Sequence, residues 1–314
     1  MIDTVNLWLS REAVEHTGGG FLKEVSPYLL GDVKERAFKG CPFLSGRLGN
    51  LNVAVSDRYV RVGDGSMCKY HLGDNLKVMR RQDMQDCIER LSDTLHVPLS
   101  KASVTRLDWA ENLVMKKPIG EYLDHLGTPA RGWRNRYSET SLYYHGMNGK
   151  TFCFYDKIAE MGGETVETAW QGKNVLRLEQ RYTKHLARFL CVDKVTAKDL
   201  YEQTFYARYT KEWANDFLKI PWVNDIKIDI TKMKSKKDLQ RMGILSLCKE
   251  CGGQNVLLAS FKERQDKGEL TRKQAFDLRQ EINEACKVGD GFTEVSEEME
   301  ELQRKVKEVA RYSR

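Results

Sequence analysis

Alternation of hydrophobic and polar positions dominates the first third of the chain. Residues 3–9 alternate enough to predict a first strand, and residues 51–62 predict a hairpin in which valines on the two strands oppose each other. Between residues 84 and 95 the hydrophobic positions recur at helical spacing, and residues 104–115 return to a strand pattern. A helix therefore carries the chain between predicted strands.

The next part of the chain continues this mixture of strands and helices. A basic, aromatic connection at residues 131–137 leads into strand-like runs at 140–145 and 151–156, which flank a glycine-containing turn. Residues 175–182 predict another strand, and helical spacing follows as far as Asp216. The pattern predicts an α+β fold with a mainly antiparallel sheet and helices on one face.

A change of composition near Thr231 predicts a second domain. Lysine-rich helix formers begin there, so we predict domains at 1–228 and 229–314, the second being basic and helical. Thr271 is a predicted N-cap, and a final helix begins near Ser296 with acidic residues in its first turn. The hydrophobic stripe of that helix favours packing against neighbouring helices over dimerisation.

Composition and charge narrow the class of protein. With 314 residues, 41% hydrophobic and 31% charged, the chain can bury a core and keep a charged surface. A formal net charge of +6 favours a nucleic-acid partner weakly. No apolar run suits a secretory signal or a membrane span, so a cytoplasmic protein with reduced cysteines is expected. Cys248 and Cys251 have no second ligand pair for zinc, which favours ordinary helix-end cysteines.

Two predicted strands carry an Arg-x-acid pattern. Strand alternation places Arg106 and Asp108 on one face, and it places Arg177, Glu179 and Arg181 together on another strand. If these strands pair, Asp108 and Glu179 can offer oxygens to a divalent cation while the arginines face phosphate. Salt bridges across a solvated sheet face are the simpler explanation of the pattern taken alone.

A tyrosine and a lysine follow on a third strand. Alternation puts Tyr155 and Lys157 on one face and Phe152 and Phe154 on the other. A phenol with a pKa of about 10 is a poor nucleophile, but a nearby ammonium and a polarised phosphate favour the attacking phenolate. A buried tyrosine with a hydrogen-bonded hydroxyl is the ordinary structural use of such a residue.

In this order, several short strings resemble the phage and plasmid replication initiators of the gene II/X family. They are Met1-Ile2-Asp3, Gly65-Ser66-Met67-Cys68-Lys69-Tyr70, Gly73-Asp74-Asn75, Arg106-Leu107-Asp108, Tyr155-Asp156-Lys157 with Glu160, and Arg177-Leu178-Glu179-Gln180-Arg181. Together they cover about the first two-thirds of the chain.

The resemblance implies a rolling-circle nickase with an HUH-endonuclease-like catalytic domain. Tyr155 matches the nucleophile, which would keep the 5′-phosphate and release a 3′-hydroxyl primer. The matching acids are Asp108 and Glu179, with Asp3 a weaker candidate, and the implied cofactor is Mg²⁺ or Mn²⁺. The His-hydrophobe-His string of the wider class is missing, so an all-carboxylate or water-rich ligand set is expected.

The same resemblance extends to DNA contacts and partners. Lys157 would stabilise phenolate or phosphate charge, and the partners implied are single-stranded and duplex origin DNA, a host helicase and a polymerase, with no membrane. Side chains expected to contact phosphates or to stack on bases are Lys69, Arg106, Trp133, Arg134, Arg136, Tyr137, Arg177 and Arg181. The basic C-terminal region is expected to bind duplex origin DNA.

Three alternatives compete with this interpretation. The string His185-Leu186-Ala187-Arg188 fits a tyrosine recombinase, but no tyrosine follows Trp213 until Tyr312. A DNA-binding replication or transcription regulator without catalysis fits the lysine-rich helices. Within the nickase hypothesis, Tyr143 or Tyr144 on the neighbouring predicted strand is an alternative nucleophile.

Overall fold

Ten strands form one antiparallel sheet in the computed structural model, which describes residues 1–14, 20–25, 28, 30–38, 40–129, 133–146, 149–162, 167–287 and 291–312. The strands are β1 (Ile2–Ser10), β2 (Leu30–Phe38), β3 (Cys41–Leu48), β4 (Leu51–Val55), β5 (Tyr59–Gly63), β6 (Ser103–Met115), β7 (Trp133–Ser138), β8 (Ser141–His145), β9 (Lys150–Asp156) and β10 (Asn174–Tyr182). Their order across the sheet is β2-β3-β4-β5-β1-β6-β10-β9-β8-β7, so β1, β6 and β10 lie near its centre.

The predicted α+β class and most predicted strands are confirmed. In the β4–β5 hairpin, Val53 lies opposite Val62 and Val55 opposite Val60, as the valine pattern indicates. The two strands with the Arg-x-acid pattern, β6 and β10, are direct neighbours in the sheet. The hairpin of β8 and β9 is present, although its turn residues Met147 and Asn148 lie outside the described residues.

Two edge regions differ from the prediction. The hairpin of β2 and β3 was not predicted, because residues 32–38 are exposed throughout and carry no hydrophobic alternation. The predicted connection at 131–137 is wrong from residue 133 onward, since β7 forms the other edge of the sheet there. Edge strands need no buried face, so polar sequences can form them. Arg131 and Gly132 lie outside the described residues.

The α-helices are α1 (Phe21–Val25), α2 (Met67–Leu72), α3 (Arg81–Leu95), α4 (Ile119–Asp124), α5 (Lys157–Met161), α6 (Leu186–Phe189), α7 (Gln203–Leu218), α8 (Lys236–Glu250), α9 (Gln254–Asp266), α10 (Arg272–Ala285) and α11 (Glu297–Tyr312). Side chains from α3, α4, α7 and α11 share one hydrophobic core with one face of the sheet, where Trp109 and Phe154 are fully buried. The opposite face at the sheet centre carries the polar candidates.

The C-terminal region divides between two hydrophobic clusters. Residues of α8, α9 and α10 pack with Phe292 into a second cluster, in which Cys248 lies near the end of α8. Helix α11 instead returns to the first core, where Leu302 is fully buried, so packing of its hydrophobic stripe is confirmed. Cutting the chain near residue 231 would therefore uncover part of the first core. The domain boundary at 228/229 stays a prediction.

A short antiparallel pair of strands, β11 (Asp225–Ile226) and β12 (Thr293–Glu294), connects the beginning and end of this C-terminal region. Within the described ranges, no helix has both the length and the apolar character needed to cross a membrane.

Candidate active site

Cross-strand register defines the polar face at the centre of the sheet. Directly opposed residues of neighbouring strands point to the same side, so each row of partners lies on one face. Three such rows cross β6, β10, β9 and β8: Asn112, Arg177, Tyr155 and Ser141; Ala110, Glu179, Cys153 and Tyr143; Asp108, Arg181, Thr151 and His145. Asp108 and Glu179 share a face once β6 and β10 pair, as the Arg-x-acid pattern predicts, and Tyr155 lies on that face as well.

Tyr155 and Glu179 are in direct contact on this face. The Tyr155 hydroxyl donates a hydrogen bond of 2.8 Å to Oε2 of Glu179, and Tyr155 is only 8% exposed. Burial raises the pKa of Tyr155 far above its ordinary value; the charge of Arg177 opposes this rise, and the carboxylate of Glu179 adds to it. The resting pair is therefore a neutral phenol bound to a carboxylate.

Two arginines hold the Glu179 carboxylate in its ionised form. Arg181 Nε donates to Oε1 at 2.7 Å, and Arg177 Nε donates to Oε2 at 3.4 Å. Burial alone would raise the pKa of Glu179, but the charges of Arg177 and Arg181 and the hydrogen bonds from Arg181 and Tyr155 lower it to about 2. Glu179 is a carboxylate throughout the physiological pH range.

Arg177 also connects the motifs near the start of the chain to the site. Its Nη2 lies 3.2 Å from Oδ2 of Asp3, and its Nη1 donates to the Asn75 carbonyl at 3.1 Å. Asp3 Oδ1 accepts a 2.7 Å hydrogen bond from Ser66 Oγ, and Ser66 caps the N-terminus of α2. Motifs that are dispersed in the sequence thus converge on one buried guanidinium.

Asp108 forms a second acid–arginine pair on the same face. Its oxygens accept hydrogen bonds from Nε and Nη2 of Arg106, at 3.0 Å and 2.5 Å. Asp108 is almost fully buried, whereas about a third of the Arg106 side chain is exposed. Burial raises the pKa of Asp108 to about 6, because the opposing hydrogen bond and charge of Arg106 compensate only in part and Glu179 adds repulsion.

The residues as placed do not fit a cation shared by Asp108 and Glu179. All four carboxylate oxygens accept hydrogen bonds from arginine or tyrosine, so guanidinium groups stand where a metal would bind. Among the described residues, the one group of three metal-type ligands with mutually close donor atoms is His125, Asp225 and Glu298, where α4, β11 and α11 meet. The predicted cation site at Asp108 and Glu179 gains no support from this geometry.

A family comparison covers this whole site. The family model for the N-terminal part of a phage replication-associated protein, of the gene II type, matches residues 1–216. The chain belongs to this family. The resemblance to the gene II replication initiators is thereby confirmed. No curated protein matches the chain.

The family match includes every strand of the large sheet and ends within α7. All candidate catalytic residues lie inside it, and α8 to α11 lie outside it. The family therefore assigns a replication-associated role to the part of the chain that carries the Tyr155–Glu179 pair.

The prediction that Tyr155 and Lys157 share a strand face is wrong, because the strand ends between them. Strand β9 ends at Asp156, whose carboxylate accepts hydrogen bonds from the backbone N–H groups of Ile158 and Ala159 and thereby caps the start of α5. Lys157 is the first residue of that helix, and its buried ammonium donates to Glu160 at 2.5 Å. Strand alternation does not extend across this cap.

Two of the predicted DNA-contacting arginines face the helices instead. On β7, Arg134 lies opposite Tyr144 and Arg136 opposite Leu142, both of which are buried in the main core. Arg134 Nε donates to the Leu126 carbonyl at 2.9 Å, and Arg136 pairs with the carboxylate of an α4 residue. These arginines support the loop after α4 and are badly placed for DNA on the opposite face.

Tyr137, an aromatic candidate on this edge strand, lies on the site face. Tyr137 packs edge-on against Tyr143, with ring centroids 5.0 Å apart, and its hydroxyl lies 3.0 Å from Nε2 of His145. The Arg181 guanidinium lies 5.6 Å from the Tyr143 ring centre. Trp133 begins β7 opposite His145 in the register. Bases could stack at Tyr137 and Tyr143 beside the charge of Arg181.

The alternative nucleophiles separate clearly by face. Tyr144 is buried among the core aromatics, and its hydroxyl donates to the Gly127 carbonyl at 2.8 Å. Tyr143 is half-buried on the same face as Tyr155, and burial raises its pKa. Tyr143, and not Tyr144, is therefore the geometrically reasonable second candidate. Lys69 lies half-buried in α2.

The raised pKa of Asp108 predicts a pH-dependent stability. Between the ordinary aspartate pKa of about 3.9 and the folded value of about 6, the folded state binds more protons than the unfolded state. The free energy of unfolding contributed by Asp108 therefore falls as pH rises through this interval. We expect the melting temperature of the wild type, relative to Asp108→Asn, to fall as pH rises from about 4 to about 6. A difference that stays constant across this range would contradict the assignment.

Proposed function

We propose that this protein starts rolling-circle replication by cutting one DNA strand with Tyr155. The observation that carries the proposal is the 2.8 Å hydrogen bond from the Tyr155 hydroxyl to Glu179, flanked by Arg177 and Arg181. A tyrosine beside a carboxylate base and two guanidinium groups has the groups needed for phosphoryl transfer. Membership in a replication-associated family supports the same chemistry.

The residues supply the following step. The Tyr155 oxygen attacks phosphorus in line as Glu179 takes its proton, and the bond from phosphorus to the 3′-oxygen breaks. The 3′-oxygen takes up a proton from water and leaves as a hydroxyl primer, while the 5′-phosphate stays on Tyr155 as an ester. Arg177 and Arg181 stabilise charge on the phosphate. The phosphotyrosine retains the bond energy, so the strand can later be rejoined.

An incoming phosphate would also prepare Glu179 to act as the base. The pKa of Glu179 is about 2 while Arg177 and Arg181 bind it, which makes the resting carboxylate a weak proton acceptor. Arg181 is partly exposed and can turn toward a DNA phosphate. Its departure would raise the proton affinity of Glu179 when substrate arrives, and Tyr155 would lose its proton only in the complex.

Mg²⁺ or Mn²⁺ remains the proposed cofactor of the reaction, as the resemblance to the gene II/X replication initiators implies. Asp108 and Glu179 would be free to hold a cation only after Arg106 and Arg181 had turned to DNA. The step above needs no atom from such a cation. Metal dependence is therefore a separate question from the identity of the nucleophile.

An adduct assay tests the proposal directly. The protein is incubated with Mn²⁺ and 5′- and 3′-labelled single-stranded oligonucleotides that cover the origin, and the products are separated on a denaturing gel. We expect the label on the 3′ side of the cut to stay with the protein, and peptide mapping to place it on Tyr155. DNA binding without any adduct would favour the non-catalytic regulator instead.

Duplex origin DNA is the proposed partner of the C-terminal helices, with a host helicase and polymerase acting on the opened strand. Lys236 and Lys237 in the first turn of α8 and Arg272 and Lys273 in α10 are exposed. We expect Lys236→Glu with Lys237→Glu to weaken duplex binding, to reduce its salt dependence, and to spare cutting of single strands. Unchanged duplex affinity across salt concentrations would rule out this surface. Charge reversal leaves α11 in the core, which truncation would not.

A further inference from the structure

Trp8 is an exposed tryptophan on the polar face of the sheet. It is 38% exposed on β1, and its ring stacks on Tyr59 of β5 with centroids 4.1 Å apart and an interplanar angle of 20°. Exposed tryptophans are unusual, because burial of such a ring gives a large hydrophobic gain. A rigid pair of stacked rings open to solvent is therefore a candidate binding surface.

Register places this pair on the same face as the candidate active site. Trp8 lies opposite Arg61, and Asn6, two residues away on β1, lies opposite Arg106. Arg106 in turn binds Asp108, one of the acids of the site. Trp8 and Tyr59 therefore lie on the same face of the sheet as the rows that contain Glu179 and Tyr155.

The sheet beyond Trp8 is concave and carries excess positive charge. A concavity of about 400 Å³ is lined by residues of β2 to β5 and the turn that follows. Four of its residues are basic, namely Lys34, Arg36, Arg47 and Arg61, and two are acidic, namely Asp32 and Asp64. Asp64 binds Arg61 at 2.6 Å and orients that guanidinium. Basic side chains beside exposed aromatic rings suit a single-stranded nucleic acid.

A similar arrangement lies on the other side of the active site, where Tyr137 and Tyr143 pack beside Arg181. The two aromatic clusters flank the Tyr155–Glu179 pair. Strand rise and strand spacing put Trp8 about 30 Å from Tyr155. A stacked strand with about 3.4 Å per nucleotide would need on the order of nine nucleotides to cover that distance.

We propose that Trp8 and Tyr59 form a stacking platform for the unpaired DNA strand, on the β1–β5 side of the site, with phosphates held by the basic concavity. The proposal rests on the proposed function for the identity of the substrate. Single-stranded DNA is preferred over a peptide because the rings lie beside an excess of basic side chains. The platform would hold DNA several nucleotides from the cut and would not touch the reacting atoms.

Binding of oligothymidylate tests this proposal without any chemistry. In a Tyr155→Phe background, affinities for strands of about 25 and about 6 nucleotides are measured by fluorescence anisotropy. We expect Trp8→Ala and Tyr59→Ala to weaken binding of the long strand by about 5- to 100-fold and to leave the short strand unaffected. Tyr312→Ala removes an exposed aromatic ring from α11 and is the matched control.

The outcomes separate the platform from the nickase proposal. Trp8→Ala binding the long strand as tightly as Tyr312→Ala would overturn the platform, whatever the cutting assay shows. Trp8→Phe keeps a stacking ring, so recovery of affinity in that variant supports stacking and excludes misfolding as the cause. Failure of the wild type to form an adduct, with the Trp8→Ala defect intact, would overturn only the nickase chemistry.

Discussion

Tyr155→Phe is expected to abolish the covalent protein–DNA adduct while single-stranded DNA affinity stays within a few-fold of the wild type. The substitution removes only the hydroxyl that donates to Glu179, and the ring keeps its packing on the sheet. Without a nucleophile no ester forms, so the loss should reach the detection limit of the gel. Adduct yield and anisotropy with the same labelled oligonucleotide measure the two quantities.

Two neighbouring tyrosines provide matched controls for this result. Tyr144→Phe removes a hydroxyl on the opposite face, where it donates to Gly127, so full adduct formation is expected. Tyr143→Phe removes a hydroxyl from the site face and is expected to retain the adduct with at most a modest loss of affinity. An adduct with Tyr155→Phe, lost instead with Tyr143→Phe, would make Tyr143 the nucleophile.

Glu179→Gln is expected to slow cutting by roughly 10²-fold or more, because a neutral amide cannot take the proton of Tyr155. The side chain keeps its size, which limits disturbance of Arg177 and Arg181. Asp108→Ala is expected to lower the rate by a similar factor. The substitution removes the carboxylate that positions Arg106, and it removes a candidate metal ligand. Single-turnover rates at saturating enzyme measure the step itself.

Controls must separate chemistry from stability, because removing one partner of a buried ion pair is strongly destabilising. Glu111→Gln is the matched variant: Glu111 is a buried acid on β6, bound to Arg80 at 2.9 Å, and its register partner Leu178 lies in the main core. Wild-type cutting rates in Glu179→Gln would remove this residue from the mechanism. Cutting rates of Asp108→Ala and Glu179→Gln measured across a titration with Mg²⁺ test the cofactor. If the metal dependence is unchanged in both of these variants, Asp108 and Glu179 are excluded as metal ligands.

Alternation along the chain was enough to predict the faces of the central strands. A strand has a period of two whatever its neighbours are, so Tyr155, Glu179 and Asp108 could be assigned to faces from local sequence. Helical spacing likewise predicted α3 and the burial of the α11 stripe. The short motif strings indicated the family, which the match to residues 1–216 confirmed.

Tertiary structure decided everything that depends on contacts between distant segments. The contacts of Tyr155 with Glu179 and of Arg177 with Asp3 follow from strand order, whereas the pairs of Asp108 with Arg106 and of Glu179 with its two arginines lie within single strands. The helix cap at Asp156 removed Lys157 from its predicted place, and edge strands without a buried face left no hydrophobic pattern to detect. Local periodicity therefore indicates the face on which each residue of β6, β9 and β10 lies. Only the folded sheet determined which partners meet there, because β1, β6, β10 and β9 come together across sequence separations that local periodicity does not reach.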